Sequence, residues 1–157
     1  MATGPYGPPP GPPPYDPRIA DAGPRLLARI IDALILLVVV VAIQLLVAAA
    51  GWTLGHPWYS FDDRDGALSS GLFFLYEWLF LTLRGATPGK SAMRIRVVQS
   101  TDRRPIGAGR AAGRTAAYIV MGWICCLGLL DVLWLLWDKP LRQCLHDKLA
   151  STVVENA

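Results

Sequence analysis

Residues 34–51 read LILLVVVVAIQLLVAAAG, an apolar run with no charged side chain. An α-helix rises about 1.5 Å per residue, so the segment from about Ile30 to Trp52 spans roughly 30 Å of hydrocarbon. A buried helix of a soluble domain is seldom so long and apolar all round. A second run, ALSSGLFFLYEWLFLTL (67–83), sits near the lower length limit for a span, and its aromatic side chains suit interfaces and helix packing. A third, TAAYIVMGWICCLGLLDVLWLLW (115–137), is long enough for one span. Gly122 and Gly128 bracket Cys125 and Cys126 in it and would let the chain reverse.

The rest of the chain agrees with a membrane reading. Of 157 residues, 53% are hydrophobic and only 17% charged, where a soluble domain carries about a quarter charged. Mean hydropathy is +0.36. Residues 1–24, MATGPYGPPPGPPPYDPRIADAGP, have little to bury and read as a disordered Pro/Gly-rich tail. They lack the charged start and apolar centre of a secretory signal. Pro12-Pro13-Pro14-Tyr15 has the form of a WW-domain ligand, although a plain low-complexity tail is the simpler reading.

Basic residues set the expected orientation. The 51–67 stretch, with His56-Pro57-Trp58, has one basic residue and the three acids Asp62, Asp63 and Asp65. The 84–114 stretch has eight basic residues against one acid. The positive-inside tendency therefore predicts a cytoplasmic N-terminus and a cytoplasmic 84–114 loop, which is also suited to anionic lipid headgroups. In that loop Met93–Ser100 alternates like a strand, and Thr101-Asp102-Arg103-Arg104-Pro105-Ile106 reads as a turn into a second short one. Residues 150–154 are β-prone too, and can pair with the first strand only on the same side of the membrane. Basic residues flank the third apolar run at both ends, which favours two full spans plus a re-entrant helical hairpin; a third span is the alternative.

Three acids, Asp32, Glu77 and Asp131, stand inside the apolar runs. Ionised carboxylates in hydrocarbon are expensive, so such residues face a protein interior, a partner or water. Arg25 and Arg29 are placed to pair with Asp32, and Arg84 with Glu77. Opposite helix directions bring Asp32 and Glu77 to similar depth, and a folded-back third segment would add Asp131. Arg25, Asp32, Glu77 and Asp131 are thus candidate ligand- or ion-binding residues; pairing that fixes helix register is the competing reading.

Other chemistries find little support. Gly85-Ala-Thr87-Pro88-Gly89-Lys90-Ser91 is one residue short of a phosphate loop, and Pro88 removes a donor. The segment reads instead as a capped exit from the second helix, with Lys90 at headgroup level. Three cysteines are a poor disulfide framework, and no metal spacing occurs. No nucleophile–base pair stands out. The expectation is no enzyme, no cofactor, no metal and no nucleic acid.

The motifs resemble those of the RDD family of small membrane proteins, named for one arginine and two aspartates. Arg25-Leu-Leu-Ala28-Arg-Ile-Ile31-Asp32 resembles the opening pattern, with Arg25 as the arginine and Asp32 as the first aspartate. Gly85-Ala-Thr87-Pro88-Gly89-Lys90 and Ile95-Arg96-Val97-Val98 resemble the next block, and Arg114 the basic residue opening the last apolar segment. Trp137-Asp138, Arg142-Gln143 and Leu145-His146-Asp147-Lys148-Leu-Ala-Ser-Thr152-Val153-Val154 resemble the C-terminal signature. The second aspartate falls on Asp147 or Asp131, Asp147 fitting the signature better. The tail is similar to that of the proline-rich-antigen members.

The resemblance covers about residues 20–154. It implies transport of unidentified ligands, with sodium–proton exchange linked to some members. The expected fold is an all-α integral membrane protein with a small cytoplasmic β element, made of a tail (1–24) and a membrane domain (25–154). The expected location is the plasma membrane, with a homo-oligomer or a membrane-protein partner. A non-transporting interaction protein is the second reading.

Overall fold

The computed structural model describes residues 16–53, 63–124, 127–139 and 141–157. The proline-rich start with its WW-like motif, the His56-Pro57-Trp58 loop and Cys125–Cys126 lie outside the described residues.

The protein is mostly helical. Helix α1 (Ala22–Thr53) and helix α2 (Asp63–Arg84) carry the first two apolar runs. Both contain stretches long and apolar enough to cross a membrane, Ala22–Ala50 and Gly66–Arg84. Leu34, Leu37, Val38, Val41, Leu45 and Leu46 of α1 are exposed. Apolar surface on that scale calls for hydrocarbon or another protein around it. At about 1.5 Å per residue, Asp32 to Thr53 alone covers roughly the bilayer core. The first turns of α1, with Arg25 and Arg29, extend beyond that length.

Gly85 stops α2. Its φ of +68° is a left-handed value that glycine adopts without a Cβ penalty, and its N–H closes on the Leu81 carbonyl. Thr87 then caps the short helix α3 (Pro88–Ala92), which has proline in its first turn, where no amide donor is missed. This is the expected capped exit, with one correction. Lys90 is buried rather than at headgroup level, because α3 folds under α1.

Strand β1 (Ile95–Gln99) pairs antiparallel with β2 (Thr152–Asn156), with Val97 opposite Val154 and Arg96 opposite Glu155. Both edges are extended by single bridges, Ile19 to Glu155 and Val98 to Pro105. Residues 16–24, assigned from sequence to the tail, are therefore part of the fold: Ile19 bridges to β2, Ala20 donates to the Val154 carbonyl, and α1 begins at Ala22.

The third apolar run is broken. Helix α4 (Ala108–Trp123) and helix α5 (Leu127–Trp134) are separate, and a Cβ on Gly128 would lie 3.2 Å from the Gly122 Cα. These two glycines let the α4 and α5 backbones approach closely. Helix α6 (Leu145–Leu149) then leads into β2. A compact core of Ala20, Ala28, Leu81, Ile95, Val97, Ile106, Ala111 and Val154 ties the sheet to the helix ends.

Candidate functional site

Above this core lies a chain of buried charge. Glu77 of α2 is its centre: the Oε1 atom accepts from Arg29 Nη1 of α1 at 3.1 Å, Lys90 Nζ of α3 at 2.9 Å and Arg114 Nη1 of α4 at 3.0 Å. One carboxylate oxygen thus joins four helices, while Oε2 has no hydrogen-bond partner among the described residues. Charge-assisted bonds of this kind are among the stronger ones, and burial removes the screening of water. Burial pushes Lys90 down to about 8 against the pull of Glu77, with Arg29 and Arg114 pushing the same way as burial. The expected partner Arg84 is exposed and lies over the Phe80 ring instead. Seven residues of helix are about 10.5 Å of rise, and Lys90 and Arg114 come closer from other elements.

Arg114 carries the chain onward. Its Nε donates to Asp147 Oδ1 at 2.8 Å, and both side chains are buried. Thr152 donates to the same oxygen at 3.3 Å. Burial opposes the Asp147 charge, but Arg114 overrides it and holds the carboxyl well below the usual carboxylate range. Next to Asp147 stands His146, whose Nδ1 is 2.6 Å from Asp131 Oδ2 while its backbone N–H donates to Asp131 Oδ1 at 2.8 Å. The two candidates for the second family aspartate therefore flank one histidine.

Burial first, and then Arg114, hold the His146 imidazole below its ordinary value against the pull of Asp147 and Asp131. A ring kept neutral in the fold gives stability that is full above the unfolded value of about 6.5 and is lost as pH falls below it. The melting temperature in detergent should fall between about pH 7.5 and about 5.5. His146→Asn, whose amide still donates to Asp131, should remove that decline. A wild type whose melting is flat across this window rules the account out. Burial also pushes the Cys144 thiol up to about 12.

Asp32 differs from the other acids. It accepts from Tyr76 Oη at 2.7 Å, Thr87 Oγ1 at 2.5 Å and the Gly89 N–H at 2.8 Å, and pairs with neither Arg25 nor Arg29. Arg29 goes to Glu77 and to the face of Tyr118, 4.4 Å from its centroid. Arg25 donates to the carbonyls of Arg142 at 2.5 Å and Val154 at 3.0 Å, so it fastens the C-terminal segment to α1. Asp32 also lines an open cleft of ≈ 510 Å³ between α1, α2 and α4, with Arg29, Ser69, Phe73 and Tyr118. Its remaining wall is aliphatic: Ile30, Ala33, Leu36, Leu37 and Val40.

The other motif residues gather round the same end. Asp138 accepts from the Gln143 N–H at 2.8 Å and pairs with Lys148, and Arg142 pairs with Asp21. Sequence reasoning missed Tyr76 and Tyr118. A hydroxyl beside Glu77 in an apolar helix was the available signal for the first; nothing local marked the second.

The RDD family pattern matches residues 19–151. The chain is 31% identical to the proline-rich antigen of Mycobacterium leprae over 147 residues, 82% of this chain and 57% of that protein. It is 39% identical to a proline-rich antigen homolog of Mycobacterium tuberculosis over 69 residues, 44% of this chain and 27% of that one. The chain thus spans little more than half the length of the first relative. No solved structure matches it.

Proposed function

The chain belongs to the RDD family, and on that premise we propose that it handles an ion or small ligand at Asp32, at the cytoplasmic end of a multi-pass plasma-membrane domain. The observation that carries this reading is the company Asp32 keeps. Glu77 is committed to three cations, whereas Asp32 holds three uncharged donors and borders an open cleft. A buried carboxylate without a fixed counter-ion is available to a mobile cation or proton. Two or three helices rarely enclose a pathway alone, so a second copy is part of the reading. The reading is of a carrier, not a catalyst.

The test is flux in proteoliposomes, with Na⁺ and pH gradients. Wild type should move ions above empty vesicles, and Asp32→Asn should reduce this at least tenfold while the protein stays monodisperse. Unaltered flux in a folded Asp32→Asn variant counts against the site. Loss of folding would favour a register-fixing role.

We further propose that both termini are cytoplasmic, with α4 and α5 forming a re-entrant hairpin. The β1–β2 pairing supports this, since it joins residues 152–156 to the basic stretch. Single cysteines at positions 2 and 157, in a background without the native ones, should both be protected from an impermeant thiol reagent on intact cells. Labelling at 157 alone means a third span.

The alternative is a non-transporting protein that docks on a membrane partner. It is favoured by the unpartnered apolar surface of α1 beyond Leu34. It predicts no flux in any gradient and co-purification of a stoichiometric partner from membranes.

A further inference from the structure

Cys144, His146 and Asp147 bring a sulfur, a ring nitrogen and a carboxylate oxygen within 4.8 Å of one another, all buried. No feature of their spacing marks them as ligands in the sequence. The geometry of His146 does. Its Nδ1 is held by Asp131 at 2.6 Å, which orients the ring and leaves Nε2 on the side of Asp147. Among the described residues that Nε2 has no hydrogen-bond partner, although the side chain is only 3% exposed. Its near neighbour is Asp147 Oδ1, at 3.5 Å. A buried nitrogen left without a bond costs free energy unless something takes it up.

We propose that Cys144, His146 and Asp147 form a three-ligand site for a borderline-soft dication of the Zn²⁺ class, with solvent or an exogenous ligand in the fourth position. The ligand set suits such an ion, and the Asp131–His146 pair is the carboxylate–histidine arrangement that fixes a metal-binding imidazole. Bond lengths of about 2.0–2.3 Å place tetrahedral ligand atoms roughly 3.4–3.6 Å apart, so the cluster closes by about 1 Å at its widest. As the metal–sulfur bond forms, the thiol proton leaves to solvent. Thiolate, Asp131 and Asp147 then bring three negative charges to the dication, and the Arg114 guanidinium beside Asp147 makes the sum zero. Arg114 already takes Oδ1, while Oδ2 accepts a longer bond, 3.4 Å from the Cys144 N–H, and is the freer ligand.

Co²⁺ titration of the full chain in detergent tests this independently of any transport. In a Cys125→Ser/Cys126→Ser background Cys144 is the single thiol left of three. The expected result is a sulfur-to-cobalt charge-transfer band with intense tetrahedral absorption, saturating at an equimolar ratio and displaced by Zn²⁺. Asp131→Asn, in protein whose folding is checked by melting, should weaken affinity about 10–100-fold. A weak octahedral spectrum without a sulfur band, or an affinity that Asp131→Asn leaves unchanged, overturns the site.

Discussion

Arg114→Ala should unfold the protein or lower its stability by about 3–5 kcal/mol, the usual effect of breaking a buried ion pair on one side. Arg114 is buried and holds both Glu77 and Asp147. Its loss leaves Asp147 without its closest cation and detaches α4 from the Glu77 junction. Arg114→Lys should recover only part of this, because an ammonium lacks the planar fork that reaches two carboxylates at once. Arg84→Ala is the control, since the Arg84 side chain is exposed and such changes stay within about 0.5 kcal/mol. Melting followed by size-exclusion chromatography in detergent measures all three. An Arg114→Ala protein that melts with the wild type would falsify the central role given to this pair.

Gly89→Ala should be comparably damaging for a steric reason. A Cβ there would lie 2.3 Å from the Ala28 carbonyl oxygen and 2.7 Å from Asp32 Oδ1. The first atom is backbone in the second turn of α1, so α3 must move away as a unit. Overpacking typically costs about 1–3 kcal/mol, and here the shift also breaks the Gly89 N–H bond to Asp32. Gly71→Ala in α2 provides the contrast. Nothing lies within 4 Å of a Cβ at that position, and helix propensity favours alanine by about 1 kcal/mol. Gly71→Ala should therefore be neutral or stabilising, and Gly89→Ala should lose both stability and whatever Asp32 does. Equal melting of the two variants would show that α3 is not packed against α1.

The candidate site was legible as a set of residues and not as a set of bonds. Asp32, Glu77 and Asp131 stood out because each is a carboxylate in an apolar run, where solvation cannot explain it. Their partners did not follow from nearness in sequence. Asp32 had Arg25 and Arg29 on its own face yet is bound by Tyr76, Thr87 and Gly89. Glu77 takes Lys90, 13 residues away, and Arg114, 37 away, in place of Arg84. His146 appeared only as a motif position; its role as the link between Asp131 and Asp147 depends on α5 packing against α6.

Legible in the sequence alone were the apolar character of α1 and α2, a capped exit after α2 and the β-prone stretches near 95 and 153. Each of these rests on local chemistry: rise per residue against bilayer thickness, a side-chain cap, alternation of period two. The tertiary structure alone decided which charges meet. Burial selects among possible ion pairs, because a charge removed from water must take whatever partner the packed backbone brings within about 3 Å. That partner comes from α5 packing against α6 and from α3 folding under α1, and no local pattern encodes either distance.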